Sequence, residues 1–143
     1  MDRAPQVAIV ADDLIWATRL ERLVRDAGAD PSLLRTAAAL ERALAAGPRP
    51  DGVIVDLTSR AYDGVAAVAR ATAAGSSVVA VGQHDDRAAR EAARAAGASE
   101  VYAYGRLFAT GPAVIAGWVR GLDDGPGTVA GAAARSDAGA HRP

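Results

Sequence analysis

The sequence predicts an α/β domain built on a five-stranded parallel sheet. Three observations point there. Short apolar, β-rich runs alternate with longer Ala-, Leu- and Arg-rich stretches, the pattern of successive β-α units. Two of those runs, Val53-Ile54-Val55 and Val78-Val79-Ala80-Val81, are continuously apolar, as strands buried on both faces must be. The length, 143 residues, is that of one ordinary domain.

The elements follow in order. A first strand over Val7–Ala11 ends at the pair Asp12-Asp13. A first helix runs from Leu14 to Ala27, with Leu20, Leu23, Val24 and Ala27 at helical spacing, and stops at Gly28. A second strand is expected over Leu33–Thr36, and a second helix centres on Leu40 and Leu44 and ends at Gly47-Pro48. The third strand spans Gly52–Leu57; its helix carries Val65, Val68 and Ala69 and ends near Gly75. The fourth strand spans Ser77–Val81. The fourth helix begins after Asp85-Asp86, either of which can cap it, presents Ala88, Ala92, Ala95 and Ala96 as its inner face, and ends at Gly97. The fifth strand spans Val101–Tyr104, and the fifth helix starts near Thr110 and uses Val114, Ile115, Trp118, Val119 and Leu122. Residues 1–122 make up this domain. Residues 123–143 are Gly- and Ala-rich without a usable period and read as a disordered tail.

Composition removes several function classes. Sixteen basic residues against seventeen acidic ones leave a net charge of -1, without the basic excess of a nucleic-acid or membrane-surface protein. There is no Cys, which excludes disulfide frameworks, thiolate metal sites and Cys nucleophiles. All the basic residues are Arg, so Schiff-base and phosphate-binding-lysine chemistry are excluded as well. No targeting or membrane segment is visible, because Asp12 and Asp13 interrupt the only early apolar run; the expected location is the cytoplasm. No Gly-rich phosphate loop follows the first strand, and there is no nucleophile elbow.

Five β-α units suggest a flavodoxin-like, doubly wound sheet of order 2-1-3-4-5. Its functional crevice lies at the carboxyl ends of the first and third strands, where the winding reverses. Both strands end in acids: Asp12 and Asp13 after the first, Asp56 at the third. Converging carboxylates raise one another's pKa or recruit a cation, and Mg²⁺ suits one or two of them. Asp13 and Asp56 would then be direct ligands, the Thr58 backbone carbonyl a third, and Asp12 would act through water. With the cluster neutralised, Asp56 could attack a phosphoryl group in line. In the structural alternative, Asp12 or Asp13 simply caps the first helix.

These motifs resemble the receiver domain of bacterial two-component response regulators. Ala8-Ile-Val-Ala-Asp-Asp13 is similar to that family's first-strand motif, and Gly52-Val-Ile-Val-Asp56-Leu to the motif ending in its phospho-accepting Asp. Asp63-Gly64 and Gly97-Ala98-Ser99 resemble the openings of its third helix and fifth strand. The likeness covers about residues 6–121. Three departures accompany it. Where the family has a Ser or Thr after the fourth strand, this chain has Gly82; where it has a Lys-Pro pair after the fifth, this chain has Tyr104-Gly105; and the Pro after the phospho-accepting strand is missing. Arg60 and Arg106 are the nearest cations in sequence, each expected to be a solvated surface residue. His84 lies at the rim.

The resemblance with these departures implies an atypical, phosphorylation-independent receiver that works by binding a protein partner, not an enzyme. The expected interface is the face formed by the fourth helix, fifth strand and fifth helix; a sensor histidine kinase and a second copy of the chain are further candidate partners. One alternative is a working phospho-acceptor, phosphorylated at Asp56 by a sensor histidine kinase. Another is a small Mg²⁺-dependent phosphoryl-transfer enzyme using the same acids. Tyr104 at the Lys position either fills the pocket and sets its hydroxyl against the carboxylates or serves as a core or interface tyrosine.

Overall fold

The alternation of apolar residues along each strand becomes two cores on either side of one sheet in the computed structural model, which describes residues 3–123. The elements are β1 (Gln6–Val10), α1 (Leu14–Asp26), β2 (Asp30–Leu34), α2 (Ala37–Ala45), β3 (Gly52–Asp56), α3 (Gly64–Ala73), β4 (Ser77–Gly82), α4 (Arg87–Ala95), β5 (Glu100–Ala103) and α5 (Tyr104–Asp123). The strands are parallel and ordered β2-β1-β3-β4-β5, the doubly wound order that the sequence predicts. Val7, Ile9, Ile54, Val79 and Val81 face α1 and α5, together with Leu20, Leu107 and Ile115. Ala8, Val10, Val53, Val55, Val78 and Ala80 face the other way, against Leu40, Val68 and Ala93. Side chains two apart share a face of a strand, so each strand serves both cores.

Four helices open on side-chain caps. Asp13, Thr36, Asp63 and Asp86 each accept a backbone N–H of the first turn of α1, α2, α3 and α4 respectively. Gly28, Gly75 and Gly97 follow helix ends with φ of 91°, 95° and 121°, the left-handed conformations that glycine adopts at no steric cost.

Three parts of the sequence reading are corrected. β2 lies earlier than expected, at Asp30–Leu34, and includes Pro31; as an edge strand it tolerates the missing N–H. The inner face of α4 is turned by one position: Ala93 is buried, Ala88, Ala92 and Ala95 are exposed, and Ala96 is half-buried. The last correction is the largest. Strand β5 stops at Ala103, and α5 begins at Tyr104 rather than near Thr110. Gly105, Gly111 and Pro112 all read as breakers, yet Leu107, Gly111, Ile115 and Val119 recur every four residues and are buried, so packing on the sheet outweighs local propensity. Pro112 has no N–H to offer the Phe108 carbonyl one turn earlier, which leaves a gap in the hydrogen-bond ladder of α5.

The far end of α5 is anchored by Trp118. Its ring lies where a side chain on Gly52 would stand (2.7 Å from a Cβ placed there), and its Nε1 donates to Ser77 Oγ at 2.9 Å. Among the described residues no helix is long and apolar enough to cross a membrane. The expected tail lies outside the described residues except for Asp123, the last residue of α5.

Candidate functional site

The crevice at the switch point is bordered by the carboxyl ends of β1 and β3, and the three expected acids stand around it in different states. Asp12 is half-buried, and its Oδ1 lies 3.4 Å from the Arg35 guanidinium, contributed by the link between β2 and α2. Asp13 is exposed and turned onto α1, where Oδ1 accepts the N–H groups of Ile15 (2.9 Å) and Trp16 (3.2 Å). Asp56 is completely buried. Its Oδ1 accepts from the Thr58 N–H at 2.9 Å and from the Thr58 hydroxyl at 2.8 Å. Its Oδ2 has no well-formed hydrogen bond.

Two tyrosines close on Asp56 from opposite sides of the sheet. Tyr62, from the link between β3 and α3, is buried in the core against α2 and α3, and its hydroxyl lies 2.8 Å from the Val10 carbonyl and 2.7 Å from the Asp56 carbonyl. One hydroxyl proton thus serves the last carbonyls of both switch-point strands. Tyr104, the first residue of α5, is buried in the opposite core. Its ring stacks on Trp16 with centroids 4.1 Å apart and planes 17° apart, and Phe108 completes the stack at 5.6 Å from Trp16 and 5.8 Å from Tyr104. The Arg19 guanidinium covers the outer side, 4.7 Å from the Phe108 ring centroid.

The Tyr104 hydroxyl, like Asp56 Oδ2, lacks a well-formed partner. The two groups nevertheless feel each other. Burial drives the Tyr104 pKa upward first, and the Asp56 charge adds to the rise. Burial raises the Tyr62 pKa too, followed by the Asp56 charge. Both tyrosines are therefore held neutral. The Asp56 carboxylate accepts only from Thr58 and forms no ion pair.

The two altered positions differ: Tyr104 brings a buried ring, and Gly82 brings no side chain. A Cβ on Gly82 would stand 3.3 Å from Arg90 Cγ and 3.4 Å from Leu57 Cδ1, a snug fit that a small shift of the Arg90 side chain would relieve. Arg90 also donates to the backbone carbonyls of Gln83 and His84, which pins the link between β4 and α4. Arg60 and Arg106 are exposed, and neither forms an ion pair with Asp12, Asp13 or Asp56.

The donor set can be tested for a metal ion. Among the described residues no three acidic or histidine side chains converge closely enough to hold one. The structure brings Asp12, Asp13 and Asp56 to one edge, but commits one to Arg35, one to a helix start and one to Thr58. In this arrangement they do not fit Mg²⁺, and no step is derived through it.

Residue types alone did not point to Tyr62, Arg35 or the Thr58 hydroxyl. Tyr62 had one signal: it directly precedes the α3 cap Asp63, where an apolar residue commonly folds back on the first turns of the helix, here toward buried Ala67. Arg35 directly precedes the α2 cap and carried no comparable signal.

No protein-family model matches the chain, and no curated protein is significantly similar to it. Solved structures do match. A response regulator receiver protein from Burkholderia phymatum is 29% identical, with 79% of this chain and 95% of that one covered and a TM-score of 0.64. A receiver domain protein from Methanospirillum hungatei JF-1 is 14% identical, covering 88% of this chain and 98% of that one, with a TM-score of 0.70. The receiver domain of a sensor histidine kinase from Pseudomonas aeruginosa PAO1 has a magnesium ion in its active-site cleft; it is 20% identical, covers 82% of this chain and 98% of its own, and has a TM-score of 0.67. In strand order and helix placement, this chain has the fold of the response regulator receiver domain.

Proposed function

We propose that this chain is a signalling domain of receiver fold that acts by binding a protein partner without being phosphorylated. One observation carries the reading: Asp56, the candidate phospho-acceptor, is fully buried and forms no ion pair. A phosphoryl group there would add charge where nothing balances it, and charge-assisted hydrogen bonds are the strong ones that such a group needs. Gly82 offers no hydroxyl to draw β4 inward.

The binding face in this reading is formed by α4, β5 and α5. β5 is an edge strand of half-buried residues, and α4 buries only Ala93, so the outer sides of both are open to a partner, a second copy of the chain included. The acids serve as structure rather than as catalytic groups, and the domain is not an enzyme. Phosphorylation at Asp56 by a sensor histidine kinase is the competing reading. It is favoured by the acids themselves and by the magnesium-bearing neighbour, and it requires Mg²⁺ in the crevice.

Intact-mass measurement after incubation with Mg²⁺ and acetyl phosphate separates the two, with Asp56→Asn as control and a conventional receiver as positive control. The expected result is no adduct on the wild type while the conventional receiver labels. An adduct on the wild type but not on Asp56→Asn overturns the reading.

A further inference from the structure

Helices α1 and α5, which pack side by side on one face of the sheet, leave an open cavity of about 400 Å³ between them. Its floor is apolar. The helices come close at Gly111, where an added Cβ would lie 3.5 Å from Leu23 Cδ1. Beside that contact α5 contributes Phe108 and Pro112, and both line the cavity together with Leu23. The rim is charged. Arg19, Arg22 and Asp26 follow one another at spacings of three and four, which sets them on one side of α1. Asp12, Asp13 and Asp56 take no part in the lining, and the cavity opens on the α1 flank of α5, away from β5.

The two arginines have no counter-ion in the chain. Among the described residues neither Arg19 nor Arg22 lies within ion-pairing distance of a carboxylate, Asp26 included. Arg19 is nevertheless held in place, its guanidinium 4.7 Å from the Phe108 ring centroid and 5.5 Å from that of Trp16. A guanidinium drawn to a ring by its charge still has N–H groups to offer an acceptor, and a carboxylate matches their fork. Two cations and one carboxylate leave the rim with an excess of one positive charge. That excess suits a monoanion, because a second negative charge would meet Asp26. The volume stands near the small end of ligand cavities, which run from roughly 300 to 1,000 Å³, and suits a single ring with a short substituent.

We propose that the cavity between α1 and α5 binds a small aromatic monocarboxylate. The ring of the ligand rests on Leu23, Phe108 and Pro112, and its carboxylate is shared by Arg19 and Arg22. Asp26 sets the charge limit by repelling dianions. The site goes beyond the binding of a protein partner through α4, β5 and α5 and is independent of it.

The test is titration of benzoate into the full chain at constant ionic strength, followed through the backbone amide shifts of nitrogen-15-labelled protein. Saturable shifts are expected at the amides from Arg19 to Asp26 and from Phe108 to Gly111. Benzamide keeps the ring and loses the charge, and should bind at least about tenfold more weakly. Arg19→Gln and Arg22→Gln should each weaken benzoate by at least about fivefold. Arg42→Gln, on exposed α2, should leave it unchanged. The dianion benzene-1,2-dicarboxylate should bind the wild type more weakly than benzoate does, and Asp26→Asn should narrow that difference. Inorganic phosphate should produce no saturable shift at these amides.

Absence of a saturable benzoate shift at these amides overturns the site. Benzamide binding as tightly as benzoate overturns the role of the arginines. Phosphate saturating the same amides as tightly as benzoate would reduce the rim to a general anion site and overturn the aromatic ligand. Arg19, Arg22 and Asp26 are exposed, so their variants should fold, and unchanged shifts elsewhere in the spectrum check this. If Arg19→Gln disturbs the ring stack, Arg22→Gln, which has no ring contact, decides in its place. The phosphorylation test is separate: an adduct on Asp56 would overturn the proposed function and leave this site standing.

Discussion

Asp13 and Asp56 occupy equivalent places, just beyond β1 and at the end of β3, on adjacent strands and the same edge of the sheet. Asp13 faces solvent and spends its carboxylate on two backbone N–H groups of α1. Asp56 has no exposure, accepts from one residue on one oxygen, and sees two neutral tyrosines. The first is a charge in a favourable field, since a helix start is electropositive. The second is a charge without compensation. The same residue type therefore stabilises in one place and is a burden in the other. A motif of paired acids reports where carboxylates stand, while their surroundings decide what they do.

The largest expected effect sharpens the buried side of this comparison. Tyr62 and Tyr104 keep their protons in the folded chain at pH values where the unfolded chain has lost them, because their folded pKa lies above the ordinary value of 10.0. Their contribution is complete below about pH 10 and is lost as pH rises, since the unfolded state then binds fewer protons. The slope is about 1.4 kcal/mol per pH unit for each tyrosine. Urea midpoints measured at intervals from about pH 9 to about pH 11 should fall steeply above pH 10, and Tyr62→Phe and Tyr104→Phe should each flatten the fall. An unchanged slope in both variants would move the titration elsewhere.

The second prediction tests the sign of the comparison. Asp56→Asn keeps an acceptor for Thr58 and removes a buried charge, and should raise stability by roughly 1–2 kcal/mol. Asp13→Ala removes the α1 cap and should lower it by about 1 kcal/mol. Chemical denaturation at neutral pH reads both. Shifts in the same direction would break the contrast.

The smallest effect concerns Asp12. Its pairing with Arg35 is long and about half-exposed, with side-chain exposures of 45% and 53%, so Arg35→Ala should change stability by no more than about 0.5 kcal/mol. A loss above 2 kcal/mol would mean that Arg35 balances the whole crevice and that Asp56 is not alone.

Much of this arrangement was legible in the sequence for a specific reason. The apolar runs of β1, β3 and β4 and the caps Asp13, Asp63 and Asp86 are local signals, and local signals set the sheet, the first four helices and the position of the acids. The beginning of α5 was not legible, because Gly105, Gly111 and Pro112 are local signals pointing the wrong way, overridden by the packing of Leu107, Ile115 and Val119 on the sheet. The partners within the site were hidden for a related reason. Tyr62 reaches Val10 across 52 positions and Arg35 reaches Asp12 across 23, and neither pairing leaves a trace in spacing. Tyr104 was visible as a replacement at a known position, but its stacking on Trp16 was not.

The break that Pro112 makes in α5 divides that helix mechanically. Beyond it, Ile115, Trp118 and Val119 rivet the helix to the sheet. Before it lie Tyr104 and Phe108, on a segment of about 12 Å with no interposed loop to absorb slack between it and β5. That segment is nonetheless packed, with Tyr104, Leu107 and Gly111 all buried, so the ladder gap at Pro112 sits in a helix held to the sheet on both sides of it. The missing bond is thus compensated by burial, and α5 keeps its course across a residue that would end a less well packed helix.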